Sequence, residues 1–98
     1  MAVKSFWVHA PGDSVGVAVE DIPAGRSVTG ALMTGSGEVP ITTVSEIPLG
    51  HKIALKAIAS GDRVVEYAEV IGAATKDIRP GELVHTHNLR SLKWGGTA

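Results

Sequence analysis

Two histidines two residues apart, His85 and His87, stand in the run Gly-Glu-Leu-Val-His-Thr-His-Asn that ends at Asn88. The run reads as a strand, in which side chains alternate between faces. His85 and His87 are then expected on one face and Asn88 on the other. Two imidazoles so placed can give zinc, iron or manganese two ligands, with a third from elsewhere. They can also bind a carboxylate or move protons. An exposed pair at a strand terminus that does none of this is the bland alternative. Asn88 has an alternative too, as the residue that caps the strand and turns the chain.

The dipeptide His51-Lys52 is the second candidate. It follows Gly50 in a turn, and His51 takes the slot that Arg26 and Asp62 hold in two similar turns. A merely solvated side chain satisfies that slot. A polar or cationic group presented from a rigid corner could instead hold a substrate carboxylate. Glu66, Glu69, Asp77 and Glu82 are scattered acids without a close acid/base pairing. Ser14 and Ser60 lie in turns with no partner pattern for a nucleophile. His9, opposite Phe6 and Val8 on the first strand, reads as a satisfied structural histidine. No phosphate loop or dinucleotide fingerprint is present.

A recurring corner must position these groups. Asp21-Ile22-Pro23-Ala24-Gly25 is repeated as Glu46-Ile47-Pro48-Leu49-Gly50, Ala57-Ile58-Ala59-Ser60-Gly61 and Asp77-Ile78-Arg79-Pro80-Gly81. In each copy the isoleucine is expected to plug the core. Glycine supplies a backbone angle that other residues resist, and proline, where present, pre-sets φ. The copies start 25, 11 and 20 residues apart, which is too irregular for a solenoid. Alternating segments between them predict strands near residues 6–10, 15–19, 31–33, 39–44, 52–58, 63–67, 70–74 and 82–88. Pro11-Gly12-Asp13 is a turn, and Thr34-Gly35-Ser36-Gly37 a hairpin tip. Small residues at Gly16 and Ala18 would let another backbone approach the second strand. No segment offers a long helical period with caps, so the predicted class is all-β.

The chain has 98 residues, enough for one domain with a core near residues 6–89 and a tail over 90–98. Hydrophobic residues make up 44% and charged residues 19%, which fits a folded domain. With one Phe, two Trp and one Tyr, the core must come from Val, Ile, Leu and Ala. A net charge of −1 without charge blocks argues against nucleic acid or an anionic membrane as partner. The absence of cysteine excludes disulfides, thiolate metal sites and a cysteine nucleophile in this chain. There is no apolar leader or membrane-length run, and a cytoplasmic location is expected.

Four segments together carry a resemblance. They are Val8-His9-Ala10-Pro11-Gly12-Asp13-Ser14-Val15-Gly16-Val17-Ala18; Ile47-Pro48-Leu49-Gly50-His51-Lys52-Ile53-Ala54-Leu55; Ile71-Gly72-Ala73-Ala74; and Asp77-Ile78-Arg79-Pro80-Gly81-Glu82-Leu83-Val84-His85-Thr86-His87-Asn88-Leu89. They resemble the SAF-type N-terminal domain of the altronate and galactarate dehydratase family. That domain also occurs as a separate small subunit, including in the related sulfolactate sulfo-lyases. The likeness runs from about Phe6 to Trp94.

The resemblance implies a β-clip fold and a part in β-elimination from sugar acids or related hydroxy acids. It implies a divalent metal of the iron type, at or near an interface with a large catalytic subunit. On this resemblance His85 and His87 would be catalytic and metal-facing, and His51, Lys52 and Asn88 substrate-facing. Water is the default leaving group. Sulfite is the alternative, for which Lys52, Arg26, Arg63 and Arg90 could supply cations. A SAF module that only binds a ligand is a further alternative. The isolated chain is expected to be inactive, and an oligomer is expected to bury Leu89, Leu92 and Trp94.

Overall fold

In the computed structural model, which describes residues 4–33 and 37–91, the Ile-x-x-Gly corners close on one another in pairs. Ile22 and Ile47 exchange reciprocal backbone hydrogen bonds of 2.9 and 2.8 Å, and Ile58 and Ile78 do the same at 2.9 and 2.7 Å. The Asp21 carboxylate accepts the Leu49 N–H at 2.8 Å, and the Asp77 carboxylate accepts the Ser60 N–H at 2.9 Å. The glycine N–H of each corner crosses to the segment before its partner: Gly25 to Thr43, Gly50 to Ala18, Gly61 to Ala74 and Gly81 to Ala54, each at 2.8 Å. Each acceptor lies three residues before the partner corner. The two pairs are therefore built alike, each with an approximate two-fold arrangement.

The four glycines have φ between +76° and +90°. That is the third position of a type II turn, where a β-carbon is disfavoured. The four isoleucines are buried. Each contributes about 1.5–3 kcal/mol by leaving water.

Nine strands lie between the corners, and the described residues contain no helix. They are β1 Phe6–Val8, β2 Val15–Ala18, β3 Ser27–Leu32, β4 Glu38–Thr42, β5 Lys52–Ala54, β6 Arg63–Glu66, β7 Glu69–Ala74, β8 Leu83–Val84 and β9 Leu89–Ser91. One sheet has the order β4-β3-β1-β2-β5-β8 and the other β6-β7-β9. Only β1 and β3 pair in parallel among these strands. Pro40 sits in the edge strand β4, where a missing N–H costs least.

Phe6, Val8, Ala18, Ile22, Ile47 and Ile53 form one core. Val15, Ala54, Ile58, Val64, Ala74, Ile78 and Val84 form the other. Each corner pair plugs one core. Successive residues Ile53 and Ala54 serve opposite cores, as strand alternation requires. Gly16 does admit a close neighbour: a β-carbon there would lie 2.9 Å from the Trp7 carbonyl oxygen and 2.8 Å from the Phe6 ring.

The all-β class holds, but several boundaries move. The strand expected over 52–58 stops at Ala54, because Ile58 is drawn into its bridge with Ile78. The last expected strand keeps only Leu83–Val84, after which the chain turns. Arg90 and Ser91, expected in the tail, instead belong to β9 and pair with β7. Leu92, Trp94 and the expected hairpin residues Thr34, Gly35 and Ser36 lie outside the described residues.

The corners differ in how much they need glycine. A β-carbon on Gly81 would fall 2.0 Å from the Thr42 carbonyl oxygen, whereas one on Gly61 meets nothing within 4 Å. Gly61→Ala should cost about 1–2 kcal/mol from its backbone angle alone. Gly81→Ala should cost roughly 3 kcal/mol or more, since overpacking adds to the same term. Urea unfolding of the two variants checks this difference.

Candidate functional site

Residues 85–88 form a turn, and Asn88 builds it. Its side chain is wholly buried, at 0% exposure. The Oδ1 atom accepts the His85 N–H at 2.9 Å, and Nδ2 donates to the Leu83 carbonyl at 2.8 Å. The Asn88 and Leu89 N–H groups both donate to the His85 carbonyl, at 3.0 and 2.8 Å. An amide spent in this way cannot face a substrate. The expected substrate contact at Asn88 is therefore replaced by its alternative role as a cap. The alternation that was to align His85 with His87 also lapses, because it holds only in a strand. Both histidines are exposed on the turn.

His85 finds a different imidazole. Antiparallel pairing sets Lys52 opposite Val84, so the next positions outward, His51 and His85, come side by side. Their ring centroids are 5.0 Å apart with planes tilted by 35°. Nδ1 of His51 lies 3.4 Å from the Leu49 carbonyl, and Nδ1 of His85 lies 3.2 Å from the Thr86 hydroxyl. A carbonyl only accepts, so the contact to Leu49 favours the His51 tautomer with a proton on Nδ1 and Nε2 bare.

Two such rings can hold an anion, pass a proton or give a metal two nitrogen ligands. Among the described residues no three His, Asp or Glu side chains gather as a metal site. A metal held by His51 and His85 would thus have half of a four-ligand set from this chain.

Lys52 leads to a second polar cluster. Its Nζ lies 3.7 Å from Oε1 of Glu66, and Oε2 of Glu66 lies 3.5 Å from Nδ1 of His9. The Tyr67 ring stacks on His9 at 4.4 Å, nearly parallel at 10°. Tyr67 and Ala68 are both in the left-handed region, at φ 61° and 60°, as the centre of a tight hairpin between β6 and β7. The buried Asp13 carboxylate holds them there, accepting the Tyr67 N–H at 2.8 Å and the Ala68 N–H at 3.1 Å. Ser14 adds two bonds to Val65: its Oγ accepts the Val65 N–H at 3.0 Å, and its N–H donates to the Val65 carbonyl at 2.7 Å.

This cluster was missed in the sequence. His9 is not a satisfied structural histidine, for its Nδ1 is buried without a hydrogen bond. Nor is Glu66 an isolated acid. Their separation along the chain hides the contact. The one local signal is a two-residue link between the runs expected over 63–67 and 70–74, which marks a hairpin and leaves its partner unspecified.

The matched family is the altronate/galactarate dehydratase SAF domain, over residues 4–92. The chain belongs to this family. It is 38% identical over 90 residues to the (2R)-sulfolactate sulfo-lyase subunit alpha of Chromohalobacter salexigens, covering 91% of this chain and 96% of that one. A second sulfolactate sulfo-lyase subunit alpha, from Paracoccus pantotrophus, is 46% identical over 54 residues, covering 55% of this chain and 81% of that one. The altronate dehydratase of Bacillus subtilis is 36% identical over 89 residues, covering 91% of this chain but only 17% of the enzyme. These relatives are lyases and dehydratases, and the name subunit alpha marks two of them as members of multi-subunit enzymes. The chain is thus similar both to a nearly whole subunit and to a small portion of a larger enzyme.

The positional roles separate by mutation. Asn88→Ala leaves the His85 N–H and the Leu83 carbonyl without their side-chain partner. It should cost about 2–4 kcal/mol, roughly a buried polar group at each end. His85→Ala, at an exposed site, should stay within about 0.5 kcal/mol of the wild type. Thermal or urea unfolding measures both.

Proposed function

We propose that this chain is the small subunit of a lyase that removes a β-substituent from a 2-hydroxy carboxylate. Its His51–His85 edge would complete an active site supplied mostly by a larger catalytic partner. The observation that carries this reading is the juxtaposition of His51 and His85 beside Lys52, on an edge that gathers no third metal ligand among the described residues. Such an edge has the groups to meet a carboxylate and a mobile proton, but does not close a site alone.

The elimination takes a proton from the carbon next to the carboxylate and expels the group one carbon further. Lys52 is suited to the substrate carboxylate. The exposed imidazole of His87 is suited to proton transfer at Nε2, as are half-buried His51 and exposed His85 where they hold no metal. A divalent metal of the iron type, held by His51 and His85 with ligands from the partner, would stabilise the enediolate-like charge when bound.

Two leaving groups are in play, each favoured by an observation. The correspondence with 96% of a sulfolactate sulfo-lyase subunit alpha favours sulfite. The similarity to altronate dehydratases over 86–91% of this chain favours water from a sugar acid.

Reconstitution with a large subunit, assayed on altronate, galactarate and (2R)-sulfolactate, tests the proposal. The chain alone should be inactive and the complex active, with the released product identifying the leaving group. His51→Ala or His85→Ala should lower kcat by about 100-fold. Full turnover by the large subunit without this chain would overturn the subunit role.

A further inference from the structure

We propose that His9 and Glu66 form a proton-transfer dyad, distinct from the His51–His85 pair, that presents Nε2 of His9 to an apolar groove. Nδ1 of His9 is buried and makes no hydrogen bond, and Oε2 of Glu66 lies 3.5 Å from it. The distance is somewhat long for a bond, as acid–base contacts often are before substrate tightens them. A carboxylate accepts and cannot donate, so it selects the tautomer with the proton on Nδ1. The opposite nitrogen is then bare and able to take a proton. This is the logic of a base oriented by a second group.

Four further observations fit a working site better than a packing accident. The His9 ring is gripped from one side by the parallel Tyr67 ring at 4.4 Å. Tyr67 is held there at a backbone angle unfavourable to a tyrosine, and the buried Asp13 carboxylate fixes that angle. Non-glycine residues in such conformations cluster at functional sites. His9 also lines a groove of about 460 Å³ with Trp7, Val17, Val19 and Met33, a volume suited to a small organic substrate. Lys52, sharing Glu66 with His9, adds a cation for a carboxylate near the same groove.

The substrate class, a 2-hydroxy carboxylate, rests on the lyase reading above, while the dyad itself does not. In that reaction the C–H bond next to the carboxylate breaks and its proton passes to Nε2 of His9. The electron pair of that bond forms the carbon–carbon double bond as the β-substituent leaves with its own pair. The resulting enol becomes the 2-keto acid. Glu66 is the positioning residue, offsetting the charge that His9 gains.

Nitrogen-15 NMR of the full chain tests the dyad without the partner. Neutral His9 should carry its proton on Nδ1, and Glu66→Met should shift the population towards the other tautomer. A wild-type His9 protonated mainly on Nε2 would overturn the proposal. In the reconstituted enzyme, His9→Ala should lower kcat by about 100-fold with KM changed less than about threefold, and added imidazole should restore about tenfold. Wild-type turnover by His9→Ala would also overturn it. If the wild-type complex turns over none of the three acids, the lyase reading fails, and the tautomer still decides the dyad.

Discussion

The reciprocal closure of the corners is the constraint on which this fold depends. Ile22 with Ile47, and Ile58 with Ile78, each close a two-bond bridge, and glycine N–H groups cross-link the segments around it. A domain this small has little core to spare. Here each bridge fixes a turn, starts a strand and buries two isoleucines at once. The functional side chains inherit that rigidity. His51 is the residue directly after the Gly50 turn, and β8 leaves the Gly81 turn to end one residue before His85. Two corners from different pairs therefore determine that the two rings meet.

Much of this is legible in the chain, and the part that is not has a physical cause. The isoleucine and glycine spacing identifies the corners, since each position has a local job. It does not identify which corner pairs with which, because pairing is settled by contacts 25 and 20 residues apart. The all-β class follows from alternation and from the lack of a helical period. The end of β8 does not, because alternation cannot reveal that the Asn88 amide will turn inward and bond to the Leu83 carbonyl. The family resemblance singles out His51, Lys52 and His85, which do come together. His9 and Glu66 are 57 residues apart in the chain, and the Asp13 clasp on the hairpin, with the Ser14 bonds to Val65, makes them neighbours.

The polar groups thus form a connected band rather than one pocket. His85 faces His51, Lys52 follows His51, and Lys52 and His9 share Glu66. An apolar groove beginning at His9 adjoins the band, with Trp7 at 39% and Met33 at 55% exposure. A band of this kind offers groups for binding and proton transfer without enclosing a substrate. Enclosure from outside falls to the proposed large partner, in keeping with relatives named as subunits of lyases.

Hydrogen–deuterium exchange of this chain, with and without the proposed large partner, tests that claim most directly. Slowed exchange is expected at residues 51–52, 66–69 and 85–87, with little change along the β4 edge at residues 38–42. Protection confined to the β4 edge, with the histidine band still exchanging freely in an active complex, would contradict it.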